Sequence, residues 1–183
     1  MLLQNTDQSL QLKTITPEHL SPLWQISHGP AADLAWRAWD GPYFEDPVLT
    51  WEAFLEKQCP NITAHPHHAG IWYQGKLVGE VSAYFEDGHL ERWLEFGLAL
   101  YDQRLWNSGL GTAACQLWLT NLFELHPDLP RVGFTTWSGN FAMMRLGEKL
   151  GMEKEAQIRK VRFWQGQYYD SVKYGVLREE WEN

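Results

Sequence analysis

The chain has very little cysteine, with only Cys59 and Cys115 among its 183 residues. The two lie far apart, and neither belongs to a C-x-x-C pair. This excludes both a disulfide framework and a zinc site with four cysteine ligands. We interpret both as free thiols, and helical spacing places Cys115 on the buried face of a helix.

Basic residues are also scarce, because 15 Lys and Arg stand against 23 Asp and Glu and give a formal charge of −8. Nucleic-acid backbones normally require clustered Lys and Arg, so we expect no nucleic-acid partner. No apolar run approaches the length of a membrane span, and the N-terminus lacks a basic leader followed by an apolar run. We therefore expect a cytoplasmic protein without a membrane partner, either a monomer or a homodimer.

Several motifs of enzyme chemistry are missing as well. No Lys-Ser/Thr pair follows a glycine loop, the third glycine of a dinucleotide fingerprint is absent, and no H-E-x-x-H occurs. Closely spaced histidines can bind a metal, and His65, His67 and His68 are close in sequence. Their loop offers no further ligand at helical spacing, so we predict no metal site, and a metal-dependent hydrolase is disfavoured.

The length and the 44% hydrophobic content fit one compact domain, residues 1–183, with residues 1–9 as a flexible tail. Alternation and helical spacing predict the order of elements. The predicted strands are 10–16, 69–74, 76–86, 92–101, 131–137, 154–164 and 167–177. The predicted helices are 17–27, a short one after Thr50, 109–125 and 140–150. This order indicates an α/β fold with a mixed, mostly antiparallel sheet.

Two glycines mark the most specific chemistry, at the junction between the strand 92–101 and the following helix. Gly109 and Gly111 allow a tight turn, so that successive N–H groups at a helix start can converge on one anion. This arrangement is a cradle for a pyrophosphate. Taken alone, the pair also fits an ordinary turn into an amphipathic helix.

Three ordered segments resemble one known family. The first is Trp106-Asn-Ser-Gly109-Leu-Gly111-Thr112, the second is Asn140-Phe-Ala-Met-Met-Arg-Leu-Gly-Glu148-Lys-Leu-Gly151-Met152, and the third is the closing segment 165–181. Together they are similar to the GNAT acetyltransferases, in particular to the ribosomal-protein N-terminal acetyltransferase branch. The resemblance covers the chain from Leu10 onward.

The resemblance implies a twisted, mixed and mostly antiparallel sheet of about seven strands flanked by helices, with a splay between the two central strands. It also implies acetyl-CoA as co-substrate and no metal. The backbone of Leu98 and Leu100 would hold the pantetheine arm. The other residues implied in cofactor binding are Trp106, Asn107, Ser108, Gly109, Leu110, Gly111, Thr112, Asn140 and Arg145. Asn140 fits helix capping equally well.

Acyl transfer from acetyl-CoA to a primary amine requires a neutral amine, and hence a general base. Glu155 matches the family glutamate that follows the Gly-Phe-like step, and Glu95 projects from its strand opposite Leu94 and Phe96. We predict these two as catalytic residues. Each also fits a solvated strand residue or an ion-pair partner.

Two positions depart from the family pattern. Met143 replaces a serine, and Gly147 stands where many members place a tyrosine that protonates the leaving thiolate. These departures leave open an alternative, a CoA-binding module without catalysis. Gly147 lies within a predicted helix, where close packing against something, such as the cofactor, would explain it, and a tolerated defect fits equally well.

The acceptor is the least defined part of the reaction. Aromatic residues in the first third, together with a tryptophan at a strand end, predict an acceptor site of Trp36, Trp39, Tyr43 and Trp137. The same rings equally fit an irregular core. The acceptor is expected to be a protein N-terminus, such as that of a ribosomal protein, or a small cationic amine.

Overall fold

A computed structural model describes residues 1–182 of the chain. The strands are β1 (Leu2–Gln4), β2 (Leu10–Lys13), β3 (His68–Tyr73), β4 (Lys76–Phe85), β5 (Leu94–Leu100), β6 (Arg131–Trp137), β7 (Glu153–Trp164) and β8 (Gln167–Leu177). The helices are α1 (Pro17–Ser27), α2 (Trp51–Lys57), α3 (Cys59–Ile62), α4 (Leu110–Leu125), α5 (Phe141–Lys149) and α6 (Arg178–Trp181). Short 3₁₀ turns fill much of the segment 34–44.

The strands form one sheet in the order β1-β2-β3-β4-β5-β6-β8-β7. Pairing is antiparallel in β1–β2, β2–β3, β3–β4, β6–β8 and β7–β8, and parallel in β5–β6. The predicted fold class, a mixed and mostly antiparallel GNAT-like sheet flanked by helices, is therefore confirmed.

The N-terminus differs from the sequence prediction of a flexible tail over residues 1–9. Leu2–Gln4 form β1, which pairs with β2 and brings the sheet to eight strands rather than about seven. The terminal ammonium of Met1 donates a hydrogen bond to Thr14 Oγ1 at 2.9 Å. Asp7 Oδ1 accepts hydrogen bonds from Ser9 N and Ser9 Oγ, and these bonds close a turn that returns the chain onto β2.

Local signals explain where the first helices begin. Thr16 and His19 form a capping box at the start of α1, and Pro17 occupies its first turn. Thr50 accepts a hydrogen bond from Ala53 N at 3.3 Å and caps α2. These two helices therefore begin where the sequence predicts.

The β5–β6 ladder is short compared with its strands. Leu94 pairs with Val132 and Glu95 pairs with Gly133, whereas β5 itself runs on to Leu100. A parallel pair that ends so early leaves the rest of β5 without ladder partners from β6 among the described residues. This is the pattern that the predicted splay between two central strands requires.

The chain divides into two compact units, which we describe separately. Unit 1 consists of Met1–Trp36, Asp46–Ser82 and Leu98–Trp118. Its core gathers apolar side chains from α1, α2, α3, the segments before α1 and α2, and the residue after β5: Ile15, Leu20, Leu23, Leu49, Phe54, Ile62 and Tyr101.

Unit 2 consists of Arg37–Glu45, Ala83–Gly97 and the chain from Leu119 onward. Phe134 lies at its centre, stacked on Tyr174 with ring centroids 5.2 Å apart and edge-on to Phe96 at 5.5 Å. The prediction of a single acetyltransferase domain over residues 1–183 stays a prediction.

The two cysteines are free thiols, as predicted, and Cys115 is buried on α4. Burial raises the pKa of the Cys115 thiol, because the thiolate would lose its hydration. None of the helices between residues 1 and 182 combines the length and the apolar character that crossing a membrane requires.

Candidate functional site

The turn before α4 has the backbone that an anion cradle needs. Asn107 and Gly109 adopt left-handed conformations, with φ of 58° and 88°. Between them, Ser108 Oγ donates to Leu105 O at 2.6 Å and accepts from Leu110 N at 3.3 Å. Residues 107–109 are exposed, so this turn presents its backbone to solvent.

The backbone amides in the first turn of α4 have no preceding helical carbonyl to which they could donate a hydrogen bond. Ala113 N donates to Gly109 O at 3.0 Å, and this bond marks where the internal ladder begins. The N–H groups of Gly111 and Thr112 precede that bond and point out of the helix start. Together with the helix dipole, they favour a negatively charged group such as a pyrophosphate.

Trp106 connects this turn to the end of β5. Its indole Nε1 donates to the carbonyl oxygen of Leu100 at 2.9 Å. Leu98 and Leu100 are half-buried at this strand end. Seven of the eleven predicted cofactor residues, 106–112, thus form a continuous segment at the start of α4, joined by this hydrogen bond to the strand that carries two more, Leu98 and Leu100.

Glu95, a predicted base, is fully buried in unit 2. It accepts hydrogen bonds from Trp93 Nε1 at 3.0 Å, Thr135 Oγ1 at 2.5 Å and Lys173 Nζ at 3.2 Å. Lys173 also donates to Thr135 Oγ1 at 2.6 Å and lies 5.0 Å from the centre of the Trp93 ring. The carboxylate is therefore held by a cation and two neutral donors.

Glu155, the other predicted base, is paired with Arg131 in unit 2. Arg131 Nε donates to Glu155 Oε1 at 2.8 Å, and Arg131 Nη2 contacts Glu155 Oε2. A Cβ at Gly133 would overlap the Arg131 guanidinium, and one at Gly175 would overlap the Glu155 carboxylate. Two glycines on neighbouring strands therefore make room for this ion pair.

Asn140 performs the capping role that the sequence allows. Its Oδ1 accepts from Met143 N at 3.0 Å at the start of α5, and its Nδ2 donates to the carbonyl oxygen of Trp39 at 3.0 Å. Arg145 is exposed on α5. The roles predicted for Asn140 and Arg145 in holding the cofactor stay predictions.

Three of the four predicted acceptor-site aromatics lie together in unit 2. Trp137 Nε1 donates to Trp39 O at 3.0 Å, and the Trp137 ring lies edge-on to Tyr43 at 5.9 Å. The guanidinium of Arg162 lies 4.9 Å from the Tyr43 ring centre. Burial raises the pKa of Tyr43, and the nearby Asp40 adds to this effect against the opposing charge of Arg162.

The fourth aromatic, Trp36, lies in unit 1. Its Nε1 donates to the carbonyl oxygen of Ser27 at 3.3 Å. Its ring lies edge-on to His28 at 5.8 Å and to Tyr101 at 5.2 Å. Trp36 therefore belongs to a separate aromatic group near the end of β5.

The sequence matches the model of the acetyltransferase (GNAT) domain over residues 9–153, which is more than half of the chain. The chain belongs to the GNAT acetyltransferase family.

Related proteins agree with this assignment. YdaF of Bacillus subtilis (strain 168), named as a candidate ribosomal N-acetyltransferase, is 32% identical over 114 residues, which cover 62% of this chain and 61% of YdaF. The matches span only 37% and 61% of the length of the two curated relatives.

Solved structures share the fold at low sequence identity. The spermidine N-acetyltransferase of Vibrio cholerae, in complex with CoA and spermine, has a TM-score of 0.75 and 17% identity, covering 96% of this chain and 99% of its own. RimL, a ribosomal L7/L12 alpha-N-protein acetyltransferase in complex with coenzyme A, has a TM-score of 0.74 and 19% identity, covering 97% and 98%.

Gly147 departs from the GNAT pattern for a reason that the structure shows. A Cβ there would lie 2.9 Å from Phe134 Cζ and 3.0 Å from Tyr174 Cδ1. The missing side chain thus accommodates the stacked rings of the unit 2 core. Because these contacts lie within the protein, they already explain the glycine without the cofactor that the sequence suggested.

Sequence reasoning missed a polar cluster of this GNAT chain in unit 1. Glu80 on β4 accepts a hydrogen bond from Tyr101 Oη at 2.5 Å, and His68 Nε2 lies 2.8 Å from its other oxygen. Burial alone would raise the pKa of Glu80, but the contacts with His68 and Tyr101 outweigh it and lower that pKa below its ordinary value of 4.5.

The signal for this cluster was the hairpin register. His68 pairs with Ser82 and Gly70 pairs with Glu80, so His68 and Glu80 are diagonal neighbours on adjacent strands. Among residues 1–182, no group of three or more His, Cys, Asp or Glu side chains is arranged to hold a metal ion. His68, considered above as a metal ligand, instead contacts a carboxylate.

Proposed function

We propose that the protein transfers the acetyl group of acetyl-CoA to a primary amine. The observation that carries this proposal is the turn at Asn107 and Gly109, which opens α4 with outward-pointing amides. Family membership gives that anion cradle its ligand, the pyrophosphate of CoA. The backbone of Leu98 and Leu100 is proposed to hold the pantetheine arm as an additional strand would.

The transfer is a direct one in a ternary complex. The amine loses a proton, its nitrogen lone pair attacks the thioester carbonyl carbon, a C–N bond forms and the C–S bond breaks. The attacking nitrogen then loses a second proton, and the CoA sulfur leaves as a thiolate and takes up one proton, so an ammonium acceptor releases one proton overall. The CoA thiol has a pKa low enough for its thiolate to leave with little assistance from an acid. The lack of a hydroxyl group at Met143 and Gly147 therefore does not prevent turnover.

The base is proposed to be Glu95 or Glu155, or a water held by one of them. Each carboxylate has a cationic partner, Lys173 for Glu95 and Arg131 for Glu155. A base must take a proton from the amine or from a water, so one of these must reach a carboxylate oxygen; Glu155 is partly exposed, whereas Glu95 is fully buried. Comparing the two Glu→Gln variants distinguishes the candidates.

The acceptor is proposed to be a protein N-terminus or a small cationic amine. The charge of −8 favours a positively charged acceptor. The names of two similar proteins support the two options, since one is a spermidine N-acetyltransferase and the other acts on the ribosomal protein L7/L12.

A second candidate function is CoA binding without catalysis. Gly147 leaves this alternative open, because this position has no hydroxyl that could protonate the leaving thiolate. A module of this kind would bind CoA with the same loop and release no thiol.

The test is thiol release from acetyl-CoA with N-terminal peptides, polyamines and aminoglycosides, alongside calorimetric binding of CoA. Turnover on at least one amine supports the transferase. Tight CoA binding without turnover on any amine favours the non-catalytic module. A protein that does not bind CoA at all would contradict both candidates.

A further inference from the structure

Among the three carboxylates described above, Glu95, Glu155 and Glu80, only the first two are paired with a lysine or an arginine. Lys173 pairs with Glu95 and Arg131 pairs with Glu155. Glu80 is hydrogen-bonded to His68 and Tyr101 and interacts electrostatically with His28, but over residues 1–182 no lysine or arginine lies within ion-pair distance of it. Its negative charge therefore lacks a permanent cation from the protein itself.

Glu80 is held in a defined orientation and is still accessible. Its two oxygens each receive one hydrogen bond, from Tyr101 Oη and from His68 Nε2, and each carboxylate oxygen has a further lone pair. Its side chain keeps 23% of the solvent-accessible area that a fully exposed glutamate side chain would have. The carboxylate can therefore accept another hydrogen bond from a molecule that reaches it from solvent.

The ring of Tyr101, whose hydroxyl donates to this carboxylate, adjoins further aromatic side chains. The Tyr101 ring meets the Trp36 ring edge-on at 5.2 Å, and Trp36 meets His28 at 5.8 Å. Indole and phenol faces attract cations through their ring quadrupoles. A carboxylate next to such rings matches the chemistry of an organic ammonium group better than that of a hydrated metal ion.

Glu80 also lies beside the strand end that we propose to hold the pantetheine arm. A Cβ at its neighbour Gly79 would overlap the carbonyl oxygen of Ala99, which lies between Leu98 and Leu100. Tyr101 N donates to Val78 O at 3.0 Å on the same pair of strands. Glu80 is thus one residue away from a close backbone contact between β4 and β5.

We propose that Glu80 binds the ammonium group of the acceptor, with Trp36 and Tyr101 as aromatic neighbours of the cation. The inference rests on the proposed function, since it assigns a residue that selects the acceptor of that reaction. It narrows the acceptor class to amines that are protonated in solution. Glu80 acts here in binding, before the amine loses its proton to the base.

The test is calorimetric titration of amines into the protein saturated with CoA, where no transfer occurs. The probes are spermidine and a peptide amide with a free N-terminus. Glu80→Gln is expected to raise Kd for the bound probe at least tenfold. The matched control Glu56→Gln removes an exposed carboxylate of α2 and is expected to leave Kd unchanged.

Two further variants keep the test decisive if Glu80→Gln does not fold. His68→Lys retains the carboxylate but places an ammonium against it, and is expected to weaken amine binding at least tenfold. Tyr101→Phe retains the charge and is expected to change Kd less than threefold. Thermal melts confirm that each variant is folded.

The outcomes separate this inference from the proposed function. A wild-type protein that binds neither probe, or a Glu80→Gln variant that binds as the wild type does, overturns the role of Glu80. A Glu80→Gln variant that loses kcat while Kd is unchanged also overturns it, in favour of proton transfer. Failure of the proposed function shows separately, as absence of turnover in the wild type.

Discussion

Arg131 and Glu155 form an ion pair in which Arg131 Nε lies 2.8 Å from Glu155 Oε1. Glycines at 133 and 175 leave the space that both side chains occupy. The guanidinium contacts both carboxylate oxygens, which fixes the orientation of Glu155.

Replacing Glu155 by Gln tests whether this pair has a structural or a catalytic role. Because both oxygens are engaged and the pair is partly exposed, we expect a loss of about 1 kcal/mol in the free energy of unfolding. Turnover within about threefold of the wild type would leave Glu95 or a water as the base, since an amide keeps the shape of the site but cannot accept the proton. Urea unfolding and steady-state kinetics measure the two effects, and a hundredfold loss of kcat in a fully stable variant would identify Glu155 as the base.

Replacing Glu95 by Gln should have a larger effect on stability. Glu95 is fully buried and its removal leaves the Lys173 ammonium without its carboxylate partner. Breaking a buried pair on one side costs roughly 3 kcal/mol in the free energy of unfolding. Urea unfolding measures this loss, and the double variant Glu95→Gln with Lys173→Met should recover part of it. A double variant as unstable as the single one would show that the ion pair is not the cause.

Gly109→Ala tests the anion cradle. At a φ of 88°, a side chain introduces strain of about 1–2 kcal/mol. If the loop relaxes to avoid this strain, its amides no longer converge, and we expect CoA to bind roughly tenfold more weakly, which corresponds to about 1.4 kcal/mol.

The matched control for this variant is Gly166→Ala, in the turn between β7 and β8. Gly166 has a comparable φ of 76° and open space around it. It should lose similar stability in a thermal melt without losing CoA affinity in calorimetry. Equal affinity loss in both variants would indicate a global effect rather than a cradle.

Gly147→Ala tests why this helix carries a glycine. Alanine improves helix propensity by about 1 kcal/mol, but its methyl group would press on Phe134 and Tyr174, and overpacking costs about 1–3 kcal/mol. We expect a net loss in the free energy of unfolding, measured by urea titration. Ala142→Gly, at an exposed position of α5, measures the propensity effect alone, and a stabilised Gly147→Ala variant would disprove the packing explanation.

The lowered pKa of Glu80 predicts a dependence of stability on pH. A carboxyl group whose pKa is lower in the folded state stabilises the fold above its unfolded pKa, here about 4.5, and this contribution is lost as the pH falls through the folded pKa. Between pH 7 and pH 3, the wild type should lose more stability than Glu80→Gln. Parallel curves from urea titrations at several pH values would contradict the assignment.

Most element bounds were predictable because their signals are local. Thr16 with Pro17, and Thr50 before an apolar segment, act within one helical turn, so sequence alone locates these helix starts. β1 was missed because three residues carry little alternation, and its stability comes from pairing with β2.

The candidate site likewise contains one part that the sequence predicts and another part that it does not. The turn at Asn107 and Gly109 follows from residue types at fixed local spacing, so the sequence identified it. The partners of Glu95, Glu155 and Glu80 could not be read in advance, because they depend on strand register. Lys173 lies 78 residues from Glu95, and Arg131 lies 24 residues from Glu155.

The hydrogen bond from Trp106 to Leu100 has a consequence for donor length. It fixes the span between the amides at the start of α4 and the end of β5 before any ligand binds. In the proposed binding mode, this preorganised span selects donors by length, because a donor with both a diphosphate and a pantetheine arm of matching length would engage both ends without an ordering cost. Acetyl-pantetheine, which lacks the diphosphate, would engage one end only and therefore lose the positioning that the other end provides.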